Sequence, residues 1–294
     1  MNKVGFIGVG IMGKSMVRNL MKAGFELHIY ARTKSKVEDV ISEGAQFHES
    51  IKDCVQDCDA VITIVGFPQD VEEVYFDEGN ILDSAKEGAY LIDMTTTSPQ
   101  IAEKIYEEGT KRGFHVMDAP VTGGDTGAKS GTLSILVGGE KEDYEACMPL
   151  FEAMGTNINY QGKAGCGQHC KLANQIMIAG TLSGVCEALT YAKEQGLDPE
   201  VFMKSVATGA AGSKQLDTFG PKILKDDYAP GFFMKHFIKD MKLALIEANR
   251  KGLSLDVLSM VLANYEELEQ EGYGDLGTQA LMKFYDEEHR NTEE

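Results

Sequence analysis

With 294 residues, 43% apolar and 25% charged, the chain is long enough for one large folded domain or two medium ones. Its formal charge of −18 argues against a nucleic-acid partner, because phosphate backbones demand a basic face. No stretch reads as the roughly 18 apolar residues of a membrane span, and no membrane partner is expected. The start is a strand with little basic charge and no small-residue cleavage site, so no signal peptide is expected. Cys54, Cys58, Cys147, Cys166, Cys170 and Cys186 form no C-x-x-C pair. Cys54/Cys58 and Cys166/Cys170 are each spaced four apart, without the further His or Cys pair of a zinc site. Free thiols, a cytoplasmic location and no metal are the expectation.

In chain order, apolar strands are expected at Val4–Ile7, Glu26–Tyr30, Ala60–Val65, Tyr90–Asp93 and His115–Asp118. Helical stretches separate them: Met12–Ala23, Lys34–Glu43, Asp70–Tyr75 and Gln100–Arg112. This alternation predicts parallel βαβ units with helices on both faces of one sheet. Thr132–Val137 and Ile158–Tyr160, flanking a helix over Lys141–Met154, extend it. From Gly165 the strand signal stops. One long helix is expected from Gly167 to about Gly196, then helices over Pro199–Ala207, His236–Lys251 and Leu255–Gln270. Breaks fall at Gly209–Gly212 and Ala229–Gly231. Gly209–Ser213 reads as a helix start, with Ser213 either an N-cap or a substrate contact. Asp286–Glu294, acidic and polar, is expected to fray. The fold class is therefore α/β: a Rossmann-type doubly wound sheet over residues 1–163, followed by an all-α C-terminal domain over residues 164–294. A cleft is expected at the junction, where ligand pockets gather.

Residues 8–13 form a G-x-G-x-x-G between the first strand and the first helix. Gly8 permits the tight reversal, Gly10 lets a pyrophosphate approach the backbone, and Gly13 lets the helix pack close to the sheet. The N–H groups opening the helix at Ile11 and Met12 face the phosphates. In NAD-binding sheets an acidic residue ends the second strand and bonds the ribose. Here that strand ends Tyr30-Ala31-Arg32-Thr33-Lys34-Ser35-Lys36. Arg32 suits stacking on adenine and gripping a 2′-phosphate, with Thr33 and Lys34 or Lys36 in support. Basic residues at a helix start oppose its dipole, so their clustering calls for an anion. NADP is expected ahead of NAD.

Two further segments carry candidate chemistry. Asp118-Ala119-Pro120-Val121-Thr122-Gly123-Gly124 follows a strand's C-terminal end, where Thr122 and the N–H groups of Gly123 and Gly124 can hold a carboxylate. In Gly167-Gln168-His169-Cys170-Lys171-Leu172-Ala173-Asn174-Gln175, Lys171 shares a helix face with Asn174 and Gln175. A lysine and an amide on one face can both bond a carbonyl oxygen. A free lysine titrates near about 10.4, and burial or a neighbouring cation brings it toward a useful range. His169 points to another face and reads as surface. Gly231-Phe232 and Lys239-Asp240 read as a lid on the nicotinamide.

As a set these motifs resemble the β-hydroxyacid dehydrogenase family, along essentially the whole chain: GFIGVGIMG, DMTTTSP at Asp93–Pro99, DAPVTGG, GTLSILVGG at Gly131–Gly139, the Lys171 helix, and IKDMKLA at Ile238–Ala244. The resemblance implies that Lys171 is the general acid and, in reverse, the base. It implies that Thr122, Gly123 and Gly124 hold the substrate carboxylate and that Asn174 or Gln175 orients the reacting oxygen. It further implies that Val65, Thr96, Phe232 and Lys239 touch the cofactor. The family more often has Ser at the position of Thr122, and many members have Asn at that of Gln175. The segment from Ala31 to Thr33 is similar to NADP-using semialdehyde reductases. The function implied is NADP-dependent reduction of small carboxylated aldehydes or 2-oxo acids: tartronate semialdehyde, glyoxylate or succinate semialdehyde. The alternatives are an NAD(P)-dependent 3-hydroxyisobutyrate dehydrogenase and a non-catalytic NADP-binding protein. Related imine reductases generally lack the lysine. The family's habit implies a homodimer or homotetramer, and Met177, Ile178, Leu182, Val257, Leu258 and Val261 are apolar residues suited to an interface.

Overall fold

The computed structural model describes residues 1–285, so the Asp286–Glu294 tail lies outside the described residues. The chain divides into two compact units, Met1–Lys171 and from Leu172 onward. The division falls inside a helix, a few residues beyond the 163/164 expectation.

The first unit contains β1 (Lys3–Ile7), α1 (Ile11–Lys22), β2 (Glu26–Tyr30), α2 (Glu38–Ser42), β3 (Gln46–Phe47), α3 (Ile51–Val55), β4 (Ala60–Thr63), α4 (Pro68–Phe76) and α5 (Ile81–Ser84). It continues through β5 (Tyr90–Asp93), α6 (Pro99–Lys111), β6 (His115–Asp118), β7 (Val121–Thr122), α7 (Gly124–Ser130), β8 (Leu133–Gly139), α8 (Lys141–Ala146), α9 (Met148–Met154) and β9 (Gly155–Gly162). The strands form one sheet in the order β3-β2-β1-β4-β5-β6-β8-β7, with β9 beside β8. From β3 to β6 all pairings are parallel, in register Val4↔Leu27, Phe6↔Ile62 and Asp93↔Asp118. The order reverses between β1 and β4, the switch point where such sheets bind ligands at their carboxyl ends.

Strand residues alternate between two cores. Phe6, Ile62 and Ile92 join Met16, Val17 and Leu20 of α1 on one face. Ile7, Val61 and Leu91 join Val71, Tyr75 and Ile105 on the other. Each such side chain contributes about 1.5–3 kcal/mol when fully buried. The doubly wound reading is correct, with three corrections. The sheet is mixed, because β8 runs antiparallel to β6 and β7. The helix expected over Lys141–Met154 breaks at Cys147, since Pro149 begins a new helix and cannot donate inside an old one. The helix expected over Lys34–Glu43 is a 3-10 turn, Lys34–Lys36, followed by α2.

Helix α10 (Cys166–Glu194) opens in the first unit and continues into the second. After it come α11 (Pro199–Val206), α12 (Lys214–Ile223), α13 (Met234–Arg250), α14 (Asp256–Gln270) and a 3-10 segment, Thr278–Tyr285. Their core joins Leu182, Cys186, Phe237, Met241, Val261 and Tyr265. Ser213 caps α12 by accepting from Leu216 N–H at 3.1 Å. Leu182, Leu258 and Val261 are fully buried in this core, which corrects their proposed interface role, whereas Met177 and Val257 are exposed. By length and apolarity α10 reaches what a membrane span requires, against expectation. Its Leu172, Ala179, Leu182, Cys186 and Leu189 instead line the second unit's core.

Candidate active site

The glycine turn has the conformation its sequence demands. Gly8 sits at φ +97°, and a Cβ there would collide with the Ile64 carbonyl oxygen. A Cβ on Gly13 would collide with the Gly8 oxygen, so the first turn of α1 lies against the turn itself. Gly10, the N-cap of α1, faces open space. No acidic side chain occupies the first turn of α1 and no side chain caps it. Ile11 is exposed and Met12 half-buried. This cradle fits a dinucleotide pyrophosphate: open backbone beside a helix end that carries partial positive charge.

Past β2, Arg32 projects with 74% of its side chain exposed and meets Asp70 Oδ1 at 3.2 Å. Asp70 also accepts from Phe67 N–H at 2.9 Å, so the opening of α4 fixes the partner of Arg32. Thr33 and Lys36 are exposed beside it, while Lys34 pairs with Glu49 at 3.3 Å. Val65 and Thr96 are half-buried at the ends of β4 and β5, and Val65 N–H donates to Thr95 Oγ1 at 2.9 Å. Thr122 ends β7. Gly123 and Gly124 follow at φ +131° and +65°, a left-handed pair that glycine favours and that turns the chain into α7.

Lys171 is only 7% exposed, so its side chain lies within the fold instead of in solvent. The start of its helix is held from below. Asp118 Oδ1 accepts from Gly165 N–H at 2.7 Å, and Oδ2 accepts from Gln168 N–H at 2.8 Å. A Cβ at Gly138 would lie 2.5 Å from Asp118 Oδ1, and one at Gly167 would strike Leu136 O. Both glycines make room for the carboxylate between strand and helix. Burial pushes Asp118 up to about 6 against those N–H bonds, and burial likewise pushes neighbouring Asp93 up to about 6. Asp93 Oδ1 accepts from Thr63 Oγ1 at 2.8 Å and Thr95 N–H at 3.1 Å. His169 is exposed, as its helix face predicts.

In the second unit, Asn174 Nδ2 donates to Gln175 Oε1 at 2.8 Å, and Gln175 Nε2 donates to Asp240 Oδ2 at 2.7 Å. Lys239 Nζ lies 2.7 Å from Asp240 Oδ1, close enough for an ion pair though not aligned as a hydrogen bond. Asn174, Gln175 and Lys239 are thus joined through Asp240, itself fully buried. Phe232 packs edge-on against Phe237, with ring centroids 6.1 Å apart. Sequence reasoning quoted Asp118 and Gln168 within motifs but gave them no role, and it placed Asp240 only in a lid, not as the partner of Gln175. Their partners are strands or helices away, which spacing does not reveal.

Residues 3–162 match the model of the NAD-binding domain of 6-phosphogluconate dehydrogenase, and residues 165–285 match the NAD-binding model of NADP-dependent 3-hydroxyisobutyrate dehydrogenase. The chain belongs to the β-hydroxyacid dehydrogenase family. It is 50% identical to an uncharacterised oxidoreductase of Bacillus subtilis, over 96% of this chain and 98% of that one. It is 37% identical to the 2-hydroxy-3-oxopropionate reductase of Escherichia coli, over 86% of each chain. The solved 3-hydroxyisobutyrate dehydrogenase of Mycobacterium tuberculosis with L-serine superposes with a TM-score of 0.88 at 26% identity, over 96% of this chain and 98% of that one. As a β-hydroxyacid dehydrogenase the chain is an NAD(P)-dependent oxidoreductase, and the α1 cradle is consistent with its nicotinamide cofactor.

Proposed function

We propose that this β-hydroxyacid dehydrogenase works as an NADP-dependent reductase of small carboxylated aldehydes or 2-oxo acids, with tartronate semialdehyde, glyoxylate and succinate semialdehyde as the substrate class. The observation that carries the reading is Lys171: a buried lysine on a helix start anchored by Asp118, one turn before Asn174 and Gln175. A carbonyl oxygen that gains negative charge beside it receives its proton, and the same lysine takes the proton back in the oxidative direction. Asn174 and Gln175, bonded to each other, orient that oxygen. Thr122 with the N–H groups of Gly123 and Gly124 holds the substrate carboxylate.

The bound nicotinamide supplies the hydride. In the glycine turn of Gly8, Gly10 and Gly13, the N–H groups of Ile11 and Met12 would hold its pyrophosphate, and Val65, Thr96, Phe232 and Lys239 are the further cofactor residues of this proposal. Preference for NADP rests on Arg32, Thr33 and Lys36 at the end of β2, where a ribose-binding acid is missing. The likeness to the mycobacterial structure favours a second reading, 3-hydroxyisobutyrate oxidation. We further propose a homo-oligomer.

The test is loss of absorbance at 340 nm with NADPH, and in parallel NADH, against glyoxylate, tartronate semialdehyde, succinate semialdehyde and methylmalonate semialdehyde. Turnover led by NADPH and one of the first three supports the reading. Turnover confined to methylmalonate semialdehyde favours the second, and NADH leading overturns the role given to Arg32.

A further inference from the structure

Gln168 is fully buried, and the chemistry above gives it no task. Both ends of its amide are in use. Oε1 accepts from Thr97 N–H at 3.0 Å, and Nε2 donates to Thr95 O at 2.7 Å. Its own N–H donates to Asp118. One side chain therefore ties the first turn of α10 to the turn after β5, on both sides of Thr96. Thr95 carries the tie onward, since its Oγ1 accepts from Val65 N–H at the end of β4. Lys171 follows Gln168 by three positions, one helical turn along. An apolar side chain at 168 would leave a buried N–H and a buried carbonyl without partners.

We propose that Gln168 is a positioning residue: a clamp that sets the Thr95–Thr97 turn and Lys171 in fixed register, so that cofactor and proton donor are aligned by one amide. The inference rests on the cofactor role proposed for Val65 and Thr96 and the acid role proposed for Lys171. It commits to a coupled effect. A change at Gln168 moves both cofactor binding and chemistry, whereas a change at Lys171 moves chemistry alone.

The experiment uses the full chain with NADPH and glyoxylate, comparing Gln168→Met, Gln168→Glu and Lys171→Ala. NADPH affinity is read by fluorescence, kcat and KM by absorbance, and folding by thermal melting. Gln168→Met is expected to weaken NADPH binding at least about fivefold and lower kcat at least about tenfold, with KM for glyoxylate within about twofold. Gln168→Glu keeps the acceptor for Thr97 but, when charged, turns an oxygen toward Thr95 O. Its protonated form donates there again, so its kcat relative to wild type should recover at least about threefold between pH 8 and 5.5. Asp93, Asp118, His169 and Lys171 are present in both proteins, so the ratio to wild type removes the part of the pH dependence they share. A side chain that only fills space gives no recovery. NADPH affinity and kcat of Gln168→Met both within twofold of wild type, or a flat ratio for Gln168→Glu, would overturn the clamp. If Gln168→Met does not fold, Gln168→Glu decides. If glyoxylate is not turned over, the NADPH affinity of Gln168→Met decides. Undiminished turnover by Lys171→Ala would sink the proposed acid while leaving the clamp to be judged on NADPH affinity.

Discussion

Arg32 and Lys171 are the two cations on which the proposed chemistry depends, and the fold holds them in opposite ways. Arg32 stands on a loop, three-quarters exposed, with one ion pair to Asp70. Lys171 is buried at the start of a helix whose first N–H groups are bonded by Asp118 and whose Gln168 is bonded to a neighbouring turn. Recognition of a phosphate that arrives from solvent can tolerate a mobile, hydrated partner. Proton transfer cannot, because a displacement of about 1 Å can cost roughly a hundredfold in rate. The difference also separates stability from function: substitutions around Lys171 should disturb both, and substitutions at Arg32 only binding.

The base of the Lys171 mount gives the larger effect. Asp93 bonds Thr63 and Thr95 through Oδ1, and its Oδ2 has no hydrogen-bond partner among the described residues. Burial raises its carboxyl to about 6, above the value of about 3.9 in an unfolded chain. Folding therefore takes up a proton in that window, and the stability this group confers falls as pH rises through it. Asp93→Asn removes the cost of the buried charge. The variant should match wild type near pH 3.5 and exceed it at pH 7.5 by up to about 3 kcal/mol, two units at about 1.4 each. Chemical denaturation at the two pH values checks this, and parallel curves for the two proteins would refute it. Asp118, raised by the same cause, keeps part of the slope in the variant.

Arg32→Ala gives the smaller effect and sharpens the contrast. An exposed ion pair contributes about 0–1 kcal/mol, so the melting temperature should hardly change. KM for NADPH should rise about tenfold or more while that for NADH stays put, since only NADPH carries the 2′-phosphate. Equal losses with both cofactors would mean that Arg32 does not read the phosphate.

Much of this was legible in the sequence. The βαβ alternation, the glycine turn and the length of α10 follow from periodicities and glycine chemistry that act locally. The short elements were not: β3 and β7 are two residues each, too brief for any alternation, and α7 has a glycine-rich sequence with little helical propensity. Lys171 was readable as a candidate because a lysine and two amides share one helix face. Its mount was not. Gln168 meets Thr95 and Thr97 across more than seventy residues, and Asp118 meets Gly165 across 47. The choice between Asn174 and Gln175 likewise turns on Asp240, 65 residues beyond Gln175. Such pairings exist only once the strands are ordered.

The most direct test of the central claim is turnover by Lys171→Ala beside its NADPH affinity, at a pH where wild type is active. The account predicts a fall in kcat of about a hundredfold to ten-thousandfold with NADPH binding unchanged, the loss of a general acid from an intact cofactor site. Turnover within a few-fold of wild type would contradict it, and the proton donor would have to be sought elsewhere.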